Sequence, residues 1–174
     1  MALTKINNNT LSAITGLPAG VGGKVLQVVS TVKKTETSTS SNTAVNMTGM
    51  SVAITPSSSS NKILITANLY IGQTSGSNRV LCTITGGNAA SYIGDANGAL
   101  RRVSSSTSNR VNDGYGMLNQ TMSFYDAPAT TSEITYQLQW QTNGGTAVYI
   151  NRPATIDSNG GSTACTITVM EISA

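Results

Sequence analysis

The sequence predicts an all-β domain, an antiparallel sandwich of jelly-roll type, and three observations carry that expectation. Serine, threonine and asparagine fill 63 of the 174 positions, while charged residues make up only 10%, against about 25% in an average soluble domain. Thr suits strands, and Ser, Asn and the 17 glycines suit the turns between them. Short runs with period-2 alternation recur between turn signals from Val25 to the end. Apolar residues at 39% are enough to supply a core for one domain of this length.

The first fifteen residues stand apart. Leu3, Ile6, Leu11 and Ile14 punctuate a polar stretch that includes Asn7-Asn8-Asn9. Asn is a poor interior helix residue, so an extended arm over residues 1–15 is as well supported as a helix. GLPAGVGG (16–23) concentrates Gly and Pro and marks a linker over 16–24, with the β domain expected over 25–174.

The predicted strands are VLQVVST (25–31), VNMTGMSVAIT (45–55), NKILITANLYIG (61–72), RVLCTIT (79–85), GMLNQTMSFY (116–125), EITYQLQWQ (133–141), TAVYIN (146–151) and TACTITVMEI (163–172). Ile63, Ile65, Ala67, Leu69 and Ile71 form one apolar stripe, and Ile134, Tyr136, Leu138 and Trp140 another. Trp140 is therefore expected in the core, and the Thr135, Gln137, Gln139 and Gln141 face is expected to be solvated. Asn143-Gly144-Gly145 signals a hairpin, and Asn159-Gly160-Gly161 precedes the last strand. The four serines of ITPSSSSNKILIT (54–66) lie between two strands, with Pro56 ending the first. A connection of about five residues is too short to join independent modules, so it is a loop inside one domain. The last strand has Cys165, Ile167 and Val169 on one face and Met170 and Ile172 on the other. Such a strand touches the core on one side and is expected to meet a neighbouring subunit on the other.

The sequence contains no histidine, which removes Ser-His-Asp triads, Cys-His pairs and His-ligated zinc. Cys82 and Cys165 alone cannot complete a four-ligand zinc site, and both are expected to be buried free thiols. GVGGKV (20–25) fails the phosphate-loop pattern at Pro18 and Val25. DANG (95–98) fails the calcium-loop pattern and predicts a type I′ turn at Asn97-Gly98. Asp95, Asp113, Asp126 and Asp157 occupy turn-like contexts with no recognisable catalytic pairing, so an enzyme and a cofactor are not expected. The net charge of +3 is spread along the chain without a basic run, which does not point to nucleic acid. No apolar stretch has membrane-spanning length, and MALTKINNNTLSAITG lacks a signal-peptide core. RRVSSSTSNR (101–110) and the Tyr115 that follows it predict an exposed loop. Arg101, Arg102, Arg110 and Tyr115 are its candidate contacts to an anionic glycan or another subunit. A surface this poor in charge resembles a subunit interface, so homo-oligomerisation is expected.

MALTKINNNTLSAITGLPAG followed by GKVLQVVS, with ITPSSSSNKILI (54–65), YDAPATTSEITYQLQ (125–139) and TITVMEISA (166–174), resembles virion proteins of marine and freshwater tailed bacteriophages. The resemblance implies a trimeric knob similar to the tumour-necrosis-factor jelly roll and a place in the virion, assembled in the host cytoplasm. Only about two dozen residues precede the first strand, which suits a short appendage better than a long fibre with its own docking domain. The expected role is a capsid decoration or head-fibre component. Leu3, Ile6, Leu11 and Ile14 would anchor it to the major capsid protein or another virion protein. The alternative is a tail-fibre tip or receptor-binding knob that recognises a host surface glycan.

Overall fold

A computed structural model of the chain describes residues 24–73, 79–108 and 114–174. The arm residues Leu3, Ile6, Leu11 and Ile14, nearly all of the linker, Arg110 and Asp113 lie outside the described residues. Ten strands follow in order: β1 (Val25–Lys33), β2 (Thr37–Thr39), β3 (Val45–Ile54), β4 (Lys62–Gln73), β5 (Arg79–Thr85), β6 (Ser105–Ser108), β7 (Met117–Asp126), β8 (Ile134–Thr142), β9 (Val148–Ile150) and β10 (Cys165–Ile172). A single 3₁₀ turn, Ala89–Tyr92, lies between β5 and β6.

All pairings are antiparallel. β7 occupies one edge of β4, so β10 and β9, which pair with successive parts of β4, share its other edge. β1 lies on β10 and β2 on β9 in the same way. β1/β2 and β9/β10 therefore each act as one interrupted strand. One sheet runs β1/β2, β9/β10, β4, β7, and the other runs β3, β8, β5, β6. The first strand pairs with the last, the second with the second-last, and so on inward. This is a long hairpin rolled into two sheets, the jelly-roll topology.

The core lies between the sheets and is filled by the inward residues of each period-2 stripe. Ile63, Ile65, Ala67, Leu69 and Ile71 of β4 face Ile134, Tyr136, Leu138 and Trp140 of β8, and all nine are buried. Val80, Cys82 and Ile84 of β5 and Cys165, Ile167 and Val169 of β10 complete the layer. Among the described residues no helix is long and apolar enough to cross a membrane.

The serine loop is structural. Glu171 of β10 points to the buried side of its strand, and its carboxylate accepts from Ser57 N (2.6 Å), Ser57 Oγ (2.8 Å), Asn61 Nδ2 (2.6 Å) and Gln27 Nε2 (2.6 Å). Burial alone would raise this carboxyl. The donors from Asn61, Gln27 and Ser57 outweigh burial and hold its pKa down at about 2. At the same end of the sandwich, Lys24 N donates to Ser173 Oγ (3.0 Å) and Ser173 N to Lys24 O (2.9 Å).

Five expectations need correction. The glutamine face of β8 is not simply solvated. β3 inserts Met47-Thr48-Gly49-Met50 opposite Leu138, with Gly49 at φ +76°. Gln137 Nε2 closes that bulge by donating to the carbonyls of Met47 and Met50, both at 3.1 Å. Asn143-Gly144-Gly145 does not make a hairpin, because β8 and β9 belong to different sheets and the loop crosses between them. Asn97-Gly98 is not a type I′ turn: Leu100 N donates to Asn97 O, and of the two central residues only Gly98 has positive φ. RRVSSSTSNR is not all loop, since Ser105–Ser108 is the edge strand β6. Asp126 is no turn residue either. It ends β7, is buried, and accepts from Tyr136 Oη (2.6 Å) and from the Asn88 amide, which approaches both of its oxygens. Burial and this carboxylate push the Tyr136 hydroxyl pKa up. A side chain at Gly87 would place its Cβ 1.9 Å from Asp126 Oδ2, and φ there is +48°. The Gly86-Gly87 pair is thus required by the close approach of the β5–β6 connection.

Cys82 and Cys165 are free and buried. Tyr70 N donates to Cys165 Sγ (3.3 Å), and Cys82 Sγ donates to Gln120 Oε1 (3.6 Å). Burial, with Cys165 nearby adding to it, pushes the Cys82 thiol up to about 12, and burial raises Cys165 as well. Both thiols should resist a thiol reagent in the native protein and titrate together after denaturant is added. Rapid native labelling of either would contradict the packing.

Candidate functional site

The Arg101 segment builds a groove on the outer face of the β3-β8-β5-β6 sheet. Val80, Cys82 and Ile84 of β5 point into the core, so Leu81 points outward, yet it is only 9% exposed. The chain returning from Gly94 towards β6 brings Ala99, Leu100 and Val103 to the groove that Leu81 also lines. That segment is stapled along its length. Gly94 N donates to Val103 O (3.1 Å) and Leu100 N to Asn97 O (3.0 Å). Arg102 Nε donates to Gly94 O (2.7 Å). Arg101 Nη1 reaches Asn42 O (3.1 Å) and Gln141 Oε1 (3.3 Å), tying the segment to β8.

The resulting groove measures about 480 Å³ and is lined by Arg79, Leu81, Leu100, Arg101, Val103 and Asn143, with Ala99 and Ser106 beside them. Arg79 N donates to Asn143 Oδ1 (2.6 Å), which fixes the rim. Among the described residues neither Arg79 nor Arg101 is in an ion pair, and no carboxylate lines the groove. The groove is concave, cationic and floored by aliphatic side chains.

The four sequence candidates separate. Arg101 lines the groove. Arg102 is spent on Gly94 O and holds the loop together. Tyr115 is exposed and is not part of the groove lining. It follows Gly114, whose carbonyl accepts from Thr155 N (2.9 Å), so it belongs beside the β9–β10 connection. Arg110 lies outside the described residues. Sequence reasoning missed Arg79. It faces Ser108 across the β5–β6 ladder, and only that register brings it beside the 95–103 segment.

Another arginine, Arg152, is held by Glu36, Tyr149 and the carbonyls that follow it. Its Nε lies 2.5 Å from Glu36 Oε2, its Nη1 donates to the carbonyls of Pro153 and Ala154, and its guanidinium sits 3.8 Å from the Tyr149 ring centroid. The small cavity of about 230 Å³ beside it is therefore walled by a clamp for the β9–β10 connection. Among the described residues no cluster of His, Cys, Asp and Glu could hold a metal ion.

The opposite sheet presents a different surface. Register aligns its outward residues in cross-strand rows: Val28, Met170, Leu64 and Tyr125; then Ser30, Thr168, Thr66 and Ser123; then Val32, Thr166, Asn68 and Thr121. None of these twelve residues is charged. Many of its polar groups are already paired within the face: Ser30 Oγ with Thr168 Oγ1 (2.8 Å), Asn119 Nδ2 to Asn68 Oδ1 (2.6 Å) and Thr121 Oγ1 to Asn68 Oδ1 (3.2 Å). Lateral pairing lowers the cost of removing water from these groups. Among the described residues β1 is an edge strand, paired only with β10, and its Val25, Leu26, Val28 and Val32 are each 40–56% exposed. The chain matches no protein-family model and no curated protein.

Proposed function

We propose that this protein is a non-enzymatic virion subunit of a tailed bacteriophage, a capsid decoration or head-fibre component that assembles as a homotrimer and is held by its N-terminal arm. The observation that carries the reading is the uncharged outer face beside β1, which pairs only with β10 among the described residues. Four strands about 4.8 Å apart and three rows about 6.8 Å apart give a face on the order of 400 Å². A standard interface buries about 800 Å² per partner, so the face supplies about half of one and the flanking β1 edge adds to it. An exposed apolar edge strand is an aggregation hazard unless it is covered. In a closed ring of three, the face of one copy covers the edge of the next.

The arm reading is supported by where the body begins and ends. Lys24 and Ser173 are hydrogen-bonded to each other at one end of the sandwich, so an arm preceding Lys24 would join the body at that end, with the opposite end turned away from the attachment point. Leu3, Ile6, Leu11 and Ile14 would bury against the major capsid protein or another virion protein. Three arms on one trimer would bind together through effective concentration.

Light scattering should give a trimer. Thr168→Arg, in the middle of the uncharged face, should give a monomer with its β-sheet circular dichroism intact. Deleting residues 1–15 should leave mass and melting temperature nearly unchanged and abolish incorporation into particles. A wild-type monomer at micromolar concentration would sink the trimer, and normal decoration by the arm-less protein would sink the anchor. The receptor-binding reading is favoured by one feature, the two-arginine groove, which lies on the other sheet and stays open in such a trimer.

A further inference from the structure

We propose that the groove between Arg79 and Arg101 is a binding site for a carboxylate-bearing saccharide unit. The inference does not depend on the trimer or on the virion assignment. It rests on the charge and shape of the groove and on how its parts are held.

Among the described residues the groove is lined by two guanidiniums and no carboxylate, so an anion is the complementary guest. Arginine's planar fork matches a carboxylate with two parallel hydrogen bonds. Arg101 is set for this. Its Nη1 is committed to Asn42 O and Gln141 Oε1, which fixes the plane and leaves Nε and Nη2 without partners among the described residues. Arg79 lines the same groove and has no ion pair of its own among those residues. The site is formed before any ligand arrives, because the 95–103 segment is already stapled. Little ordering cost remains for binding.

The rest of the lining selects among anions. Leu100 is 69% exposed and lines the groove with the buried Leu81 and the half-buried Val103, and a bare inorganic anion would leave this aliphatic floor wet. A sugar ring presents a C–H face to such a floor and hydroxyls to its rim. Asn143 Oδ1 accepts from Arg79 N, so its Nδ2 is left to donate to ring oxygens, and Ser106 adds a hydroxyl to the same lining. Among the described residues no aromatic ring lines the groove, so they offer no stacking platform for a nucleobase. Its volume of about 480 Å³ falls within the usual range of small-ligand sites.

The test titrates the full chain with trigalacturonate, with neutral maltotriose and with triglutamate, by calorimetry and saturation-transfer NMR. Trigalacturonate should bind, maltotriose should not, and triglutamate should bind at least roughly tenfold more weakly. Arg79→Gln should weaken binding roughly tenfold, the loss of one charge-assisted pair, with an unchanged melting curve, since this side chain holds no other element. Arg101→Lys keeps the charge but loses the fork, and should also weaken binding. Leu100→Ser should reduce the saturation transfer to ring protons. Three results would overturn the proposal: no binding of trigalacturonate at millimolar concentration, equal binding of triglutamate, or undiminished binding by Arg79→Gln.

Discussion

Ending the chain at Gly161 should yield no soluble protein. β10 lies between β1 and β4, so its loss detaches β1 and bares the edge of β4 that carries the largest apolar stripe. Cys165, Ile167 and Val169 leave the core with it, each fully buried. At about 2 kcal/mol per buried aliphatic side chain, before counting ladder hydrogen bonds, the loss is comparable to the whole stability of a domain, about 5–15 kcal/mol. Glu171 goes too, leaving the Ser57 amide, Asn61 and Gln27 without their acceptor. Expression of residues 1–161 followed by fractionation checks this. A folded, soluble truncation would mean that β10 is not integral to the sandwich.

Glu171→Gln should destabilise the protein by about 3 kcal/mol at neutral pH, because an amide turns a donor towards groups that already donate to a carboxylate. For a chain of this size the melting temperature should fall on the order of 10 °C. The pH dependence carries a definite sign. The folded pKa lies near 2, below the ordinary 4.5. The stabilisation is therefore fully present above about 4.5, shrinks as pH falls, and is gone once pH passes below the folded value. Wild type should lose stability across that window, whereas the variant should be flatter there and converge with wild type at its acid end. Parallel melting curves for the two proteins from pH 7 to pH 2 would show that the carboxylate contributes no net stabilisation.

The site was legible only in part. Arg101 was identifiable because a basic residue beside a Ser/Thr run in an all-β chain marks an exposed segment. Its partner Arg79 begins an ordinary-looking strand, and no local pattern distinguishes it. β2 and β6 escaped for a related reason. Thr37–Thr39 and Ser105–Ser108 have no apolar alternation, being edge strands held by backbone pairing to β9 and β5. The glutamines of β8 alternate as solvent-facing residues do, but the neighbouring β3 bulge puts backbone carbonyls within reach of Gln137.

The sequence by itself determined the fold class, most strand positions, the core stripes of β4 and β8, the buried thiols and the role of the four serines as a connection within one domain. Each follows from local periodicity or turn chemistry, which needs no knowledge of neighbours. Only the tertiary structure decided which strands pair, and with that everything built across strands. The charge-free rows on one sheet, the groove between Arg79 and Arg101, the burial of Asp126 and the four donors around Glu171 join residues 10 to 144 positions apart in the chain. Period-2 alternation says which side of a strand is apolar, but the partner and register that bring two side chains together are set by the packing of the whole sandwich.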